Sequence, residues 1–169
     1  MRKKVRMIFL VIILAITSFA VAGILLFLKN KPKGESVSSV LTPYAMKMAN
    51  GMVVRLNQIE APMPGSIEER KAFDYLKDLV DGRGVWLEYD RVGLDEKGRL
   101  LVWMWVGCES EPVIPPRVVQ GVIRQNPIGC KKGRLVNEEM IRTGLVELAD
   151  DLESGELKYS ARIRESLGK

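Results

Sequence analysis

One arginine and one carboxylate lie five residues apart in a short segment with strand character. Arg55 and Glu60 fall within Val53–Met63, where β-branched residues favour an extended backbone and Pro62, which has no N–H, ends strand pairing. A guanidinium group suits bidentate binding of phosphate, whereas a carboxylate suits a hard cation or proton transfer. We therefore predict that this segment carries the chemistry of the protein and that the other elements hold it in place.

The strand that carries Arg55 needs partners, and the surrounding sequence predicts two hairpins. Asn50-Gly51 is a tight-turn signal that leads into this strand. A second, polar turn at residues 94–99 contains a glycine, ends at Arg99 and separates two further apolar runs. Residues 37–48 are expected to supply the first strands, and further strands are predicted at residues 52–59, 85–89 and 100–106.

Capping signals predict three helices after the first hairpin. Ser66 and Glu69 form a capping box, in which the serine oxygen and the glutamate each satisfy a free backbone N–H at the start of a helix. Gly82 stands where this helix is expected to end. Asn137 is predicted to cap a second helix and Ser154 a third.

An uncharged run at the N-terminus predicts a membrane segment. Residues 7–28 contain no charged side chain and, at about 1.5 Å per residue, would span roughly 33 Å as a helix. The basic residues within 1–6 favour a cytoplasmic N-terminus, which places the body of the protein outside, after a tether at 29–36. A cleaved signal peptide ending at residues 20–22, Ala-Val-Ala, is the alternative, and both interpretations export the domain.

The charge balance argues against strong nucleic-acid binding by the exported part. The whole chain has a formal net charge of +5, but residues 35–169 contain 19 basic and 21 acidic side chains, a formal net charge of −2. A basic surface is the usual sign of a nucleic-acid partner. We therefore expect nucleic-acid binding to be weak or absent.

Two cysteines stand at the ends of a proline-containing insertion, residues 107–131. Cys108 and Cys130 are the only cysteines of the chain, and an exported domain lies in an oxidising compartment. We predict a disulfide between them. Two unpaired thiols are expected instead if the orientation in the membrane is reversed.

Three motifs together resemble the thermonuclease-like (staphylococcal nuclease-like) family. They are the segment Val53–Met63, the turn Asp95–Arg99 and the segment Leu135–Leu145. The resemblance implies an α+β fold with a β-barrel core over residues 37–169, namely a five-stranded OB-fold barrel with about three helices, here preceded by one transmembrane helix.

The resemblance also assigns roles to individual residues. Arg55 and Arg99 match the two arginines that bind phosphate in active members, and Glu60 matches an aspartate that binds calcium. Met63 replaces the family's glutamate, which orients the attacking water, and Leu41–Tyr44 lacks the carboxylate that the family has in its first hairpin. The two arginines have an alternative, structural role as partners of Glu60 or Asp95.

These departures predict a domain that has lost hydrolysis and serves as a binding or assembly module, with no cofactor or with weakly bound calcium. The alternative is a calcium-dependent phosphodiesterase, a nuclease, with a rearranged metal site. A third possibility is that the insertion contacts a membrane or envelope protein. The sequence predicts neither the identity of such a partner nor the oligomeric state.

Overall fold

The computed structural model describes residue 17 and residues 34–113, 123–149 and 157–167. The chain divides into two units, residues 1–31 and 32–169. The predicted membrane segment 7–28 lies outside the described residues apart from Thr17, as do residues 1–6, which the sequence predicts to be cytoplasmic, and Ser154. Among the described residues, no helix combines the length and the apolar character that crossing a bilayer requires.

The described part of residues 32–169 forms eight strands and three helices. The strands are β1 (Glu35–Thr42), β2 (Ala45–Met48), β3 (Val53–Leu56), β4 (Ile59–Glu60), β5 (Gly84–Leu94), β6 (Leu100–Val106), β7 (Arg134–Leu135) and β8 (Glu147–Leu148). The helices are α1 (Ile67–Val80), α2 (Val136–Arg142) and α3 (Ser160–Ser166).

Five strands close into a ring. β1, β2 and β3 form an antiparallel meander, β5 pairs with both β1 and β6, and β6 returns to pair with β3 in the parallel direction. β7 extends the sheet at the far end of β6, and β4 pairs separately with β8. The described residues thus confirm the prediction of a mixed α and β fold with a barrel-like strand core and three helices.

The core is apolar and fills the space between the ring and the helices. Its largest fully buried side chains include Trp103 and Trp105 of β6 and Tyr159, which precedes α3. The Tyr159 ring meets both indoles edge to face, with centroids 5.4 and 5.6 Å away. These contacts place the segment that precedes α3 directly against β6.

The prediction of one continuous strand over residues 52–59 is wrong. The chain turns at Asn57 and Gln58, where Gln58 has a φ of 56°, and continues as β4. Ile59 must leave the ring to pair with Leu148 of β8, which lies far along the chain. The local run of β-branched residues contains no signal for this pairing.

The capping box at the start of α1 is confirmed. Ser66 Oγ accepts a hydrogen bond from Glu69 N at 3.0 Å, and Glu69 Oε2 accepts one from Gly65 N at 2.6 Å. The helix packs four apolar side chains on the ring: Ala72, Leu76, Leu79 and Val80. Gly82 follows the helix with a φ of 64°, as expected for a residue that ends a helix in the left-handed region.

The prediction that Asn137 caps α2 is wrong. The helix begins at Val136, and Asn137 lies inside it, fully buried. Its Oδ1 accepts a hydrogen bond from Met104 N at 3.0 Å, and its Nδ2 donates to the carbonyls of Asn57 and Val102 at 3.0 and 3.2 Å. Asn137 therefore ties α2 to the end of β3 and to β6.

A buried charge cluster attaches the segment before α3 to the ring. The Glu88 carboxylate in β5 accepts hydrogen bonds from Lys158 Nζ at 2.6 Å, from the Tyr159 hydroxyl at 2.9 Å and from Trp105 Nε1 at 3.1 Å. Burial, followed by the nearby negative charge of Glu88, raises the pKa of Tyr159, so its hydroxyl stays protonated and donates. Asp90 adds a second anchor by accepting from Lys158 N at 2.7 Å.

Candidate functional site

Strand pairing brings Arg55 and Arg99 to the same end of the ring. The parallel pairing of β3 with β6 sets Arg55 opposite Leu101, and Arg99 directly precedes β6. The turn before Arg99 is closed by hydrogen bonds from Asp95 N to Arg99 O and from Gly98 N to Asp95 O, at 3.0 and 2.9 Å. Gly98 has a φ of 71°, a conformation that favours glycine.

The carboxylate of Asp95 joins the two arginines. Its Oδ2 accepts from Arg99 Nε at 2.7 Å and pairs with Arg99 Nη2 at 2.6 Å, and Arg55 Nη1 lies 3.8 Å from the same oxygen. Its Oδ1 accepts the backbone N–H groups of Lys97 and Arg99 at 3.0 and 2.9 Å. Of the two partners that the sequence left open, Asp95 and Glu60, the structure pairs the arginines with Asp95.

The environment of Asp95 keeps it ionised. Its side chain is only 5% exposed. Burial alone would raise the pKa of Asp95, but the hydrogen bonds from Arg99 and the backbone of Lys97 outweigh it and hold the pKa below its usual value. The negative charge of Asp95 thus keeps the guanidinium groups of Arg55 and Arg99 in place.

Tyr44 supplies a surface on which both guanidinium groups rest. The central carbon atoms of Arg55 and Arg99 each lie 5.3 Å from the centroid of the Tyr44 ring. This distance is within the range of cation–π attraction. Burial opposes the charge of Arg99, but its hydrogen bonds to Asp95 and Tyr44 prevail and raise the Arg99 pKa.

Arg55 retains hydrogen-bonding capacity. Its Nη2 reaches the carbonyl of Ile59 only at 3.4 Å, and its contact with Asp95 is longer than a hydrogen bond. Its Nε is buried and, among the described residues, has no hydrogen-bond partner. The side chain as a whole is 28% exposed, so the guanidinium group can be reached from solvent.

Within the described part of the chain, Glu60 and Met63 take no part in the ion pairs of this cluster. Glu60 is exposed in β4, opposite Glu147 of β8. Within the described part of the chain, no ion pair of 4.0 Å or less joins Glu60 to either arginine. Met63 is 79% exposed, and the described ranges contain no group of three or more acidic, cysteine or histidine side chains suited to a metal ion.

The arginine cluster lies outside the described clefts. A cleft of about 870 Å³ runs between the end of β1 and the start of α1, where Thr42, Pro43, Ile67 and Phe73 line it. None of Tyr44, Arg55, Asp95 and Arg99 lines this cleft.

The predicted disulfide is present at the base of the insertion. Cys108 and Cys130 are bonded, with their Cα atoms 4.1 Å apart. Asn126 reinforces the returning chain, because its Nδ2 donates to the carbonyls of Cys130 and Gly133 at 2.9 and 2.7 Å. Residues 114–122 of the insertion lie outside the described ranges.

Tyr44 is the contributor to the described site that the sequence does not predict. The sequence places it only in a segment that lacks a carboxylate, and no local signal indicates that two arginines stack on it. Asp95, by contrast, is one of the two structural partners that the sequence offers for the arginines, and both arginines pair with it.

The chain has no match among models of known protein families or among curated proteins. The geometry of the arginine cluster is therefore the basis for a functional proposal.

Proposed function

We propose that this chain is a membrane-anchored, extracytoplasmic domain of the thermonuclease-like, OB-fold type that binds an anionic group through Arg55 and Arg99 without hydrolysing it. The supporting observation is the convergence of two guanidinium groups on one ring and one carboxylate. Arg55 is 28% exposed, and its Nη1 and Nη2 lie 3.8 Å from Asp95 Oδ2 and 3.4 Å from the carbonyl of Ile59, so these donors can still bind a ligand that arrives from solvent.

The charges of the cluster favour an oxyanion. Two guanidinium groups and one carboxylate leave a net positive charge where Arg55 is open to solvent. Arginine donates through a planar fork that matches phosphate or carboxylate oxygens. Because Asp95 and Tyr44 already hold both guanidinium groups, little side-chain freedom is lost when such a ligand binds.

The same geometry gives little support to hydrolysis. Asp95 accepts three hydrogen bonds and pairs with the guanidinium groups of both arginines, so its oxygens are already used and do not activate water. Met63 cannot accept a proton, and Glu60 lies outside the ion-paired cluster. In active members of the family named above, a carboxylate beside the arginines performs this step.

Two observations support an exported, anchored domain. Residues 7–28 have the length and apolar character of a membrane helix. The bond between Cys108 and Cys130 is typical of an oxidising compartment. In this proposal the chain stays attached to the membrane through its anchor, and the anionic ligand is located outside the cytoplasm or in the envelope.

The anion site is tested by measuring pyrophosphate binding to the purified full chain by calorimetry. Replacing Arg55 by Ala removes a charged donor worth about 1.5–3 kcal/mol, which corresponds to roughly 10- to 100-fold weaker binding. Arg55→Lys keeps the charge but loses the fork and should bind with intermediate affinity. Arg142→Ala is the matched control, because Arg142 is an exposed arginine that pairs with Glu139 at 3.1 Å in α2. Equal weakening by the Arg55 and Arg142 variants would contradict the proposed site.

Hydrolysis is tested separately, by release of acid-soluble nucleotide from single-stranded DNA with calcium or with a chelator. We expect no release from the unmodified chain. We also expect none from Met63→Glu alone, because Thr42 and Pro43 still offer a metal ion no second carboxylate. Chelator-sensitive hydrolysis that Arg55→Ala abolishes would establish the nuclease and overturn the binding module.

A further inference from the structure

The point where the chain joins the domain is fixed by a glycine. Gly34 has a φ of 97°, and a Cβ placed on it would lie 2.5 Å from the carbonyl oxygen of Val85 and 3.1 Å from ring carbons of Trp86. The backbone therefore lies directly on the start of β5, and a side chain at position 34 would displace it. The first described residue of the domain is held at one place on its surface.

The surface around this point is apolar. A cleft of about 560 Å³ beside Gly34 is lined by Trp86 and Leu87 of β5 and by Pro112 of the insertion. Beyond Pro112, Val113 pairs with Ile128, with Val113 N donating to Ile128 O at 2.8 Å. We call the surface formed by Trp86, Pro112, Val113 and Ile128 the junction face.

Two apolar side chains of the junction face are exposed to solvent. Val113 is 61% exposed and Ile128 is 68% exposed, although both belong to a bridge that orders their backbone. Exposed Lys131 and Lys132 follow Ile128. Ordered apolar side chains beside tryptophan and lysine are the composition of surfaces that meet the headgroup region of a bilayer.

We infer that the junction face rests on the surface of the lipid bilayer. This inference depends on the membrane anchor of the proposed function, and chain length is its second support. Leu28, the last residue of the predicted span, is separated from Gly34 by residues 29–33, so the two lie at most about 20 Å apart. A tether this short keeps the junction face near the headgroups.

The charges around the junction face indicate that contact is mainly apolar. Glu35 and Glu111 line the cleft and oppose the attraction of the nearby lysines to anionic lipids. The face should therefore bind zwitterionic lipid as well, and the contact should persist at high salt, which screens charge but not apolar burial.

The test uses the full chain reconstituted in phosphatidylcholine vesicles, with an environment-sensitive fluorophore on a single introduced cysteine. Val113→Cys places the label on the junction face. Leu94→Cys is the matched control, since Leu94 is 56% exposed and lies at the opposite end of β5 from the residues that pair with β1. Mass spectrometry under non-reducing conditions verifies that Cys108 and Cys130 remain bonded to each other.

We expect spin-labelled lipid to quench the label at position 113 at least twofold more than the label at position 94, at low and at high salt. Ile128→Cys is a second probe of the same face if the first variant does not fold. Equal quenching at the junction face and at position 94 would overturn the inference. So would a label that is shielded from aqueous iodide but not quenched by lipid, because a protein would then cover the face.

Retention of the chain on the vesicles tests the membrane anchor separately from the junction face. If an alkaline wash removes the chain from the vesicles, the anchor is refuted and the inference fails with it. If the chain is retained but lipid does not quench the junction-face label, only the inference fails.

Discussion

Replacing Glu88 by Gln should strongly destabilise the domain. Glu88 is 1% exposed and accepts three hydrogen bonds, one of them from Lys158 Nζ. Glutamine keeps nearly the same volume but only one oxygen acceptor, so the variant loses the negative charge and one of the two accepting atoms. The ammonium group of Lys158, which is 5% exposed, is then buried without a counter-ion, at a cost of about 3–5 kcal/mol.

The loss is measurable by thermal unfolding. For a domain of this size, 1 kcal/mol corresponds to about 3–5 °C in Tm, so the Glu88→Gln variant should unfold roughly 10–20 °C lower. Near-ultraviolet circular dichroism follows the transition through the packed rings of Trp103, Trp105 and Tyr159.

A second substitution separates charge burial from general disruption. Adding Lys158→Met to Glu88→Gln removes the unpaired ammonium, so the double variant should regain stability, with a coupling of about 2 kcal/mol or more. Glu165→Gln is the matched control, because Glu165 pairs with Arg124 at an exposed position and should change stability by at most about 1 kcal/mol. The reasoning fails if the Glu88 and Glu165 variants behave alike, or if the effects of Glu88→Gln and Lys158→Met simply add.

Two further predictions concern the arginine cluster and the buried asparagine. Because the pKa of Asp95 is lowered in the folded state, its contribution to stability is complete above the ordinary aspartate pKa of about 3.9 and is lost as pH falls through the lower folded value. The urea midpoint of unfolding should therefore drop in this acidic range, and Asp95→Asn should flatten the drop; an unchanged acid profile in this variant would refute the assignment. Asn137→Leu leaves Met104 N without its buried acceptor and should lower the free energy of unfolding by at least about 2 kcal/mol in thermal or urea unfolding, whereas Lys47→Ala at an exposed position should have little effect.

The sequence predicted those elements that are stabilised by contacts between residues close together in the chain. The capping box at Ser66 and Glu69 satisfies backbone groups within one helical turn. The turn at Asp95–Arg99 is likewise closed by its own residues. Two predictions were wrong, namely the continuous strand across Asn57 and the capping role of Asn137. They share a non-local cause, because Asn137 donates to the carbonyl of Asn57, 80 positions away in the sequence.

The site was predictable only in part for the same reason. A resemblance to known motifs singled out Arg55 and Arg99, and the structure brings them together. Tyr44 contacts both arginines because of the register of β2 with β3, in which Ala45, the next residue, lies opposite Arg55. A periodic pattern defines which face of a strand is buried, but it does not define which aromatic ring two distant arginines will share.

Because both ends of the insertion are fixed to the domain, the length of the loop can change without disturbing the ring of strands. Its two ends are joined covalently at Cys108 and Cys130, and the returning end is also held because Arg162 Nη1 donates to Asn126 Oδ1 at 2.7 Å. Lengthening the loop between these fixed ends would therefore cost mainly loop-closure entropy, about 0.6 kcal/mol for each doubling in length. The domain thus has a position at which foreign sequence can be grafted, or at which evolution can exchange one loop for another, while β6 and β7 keep their register.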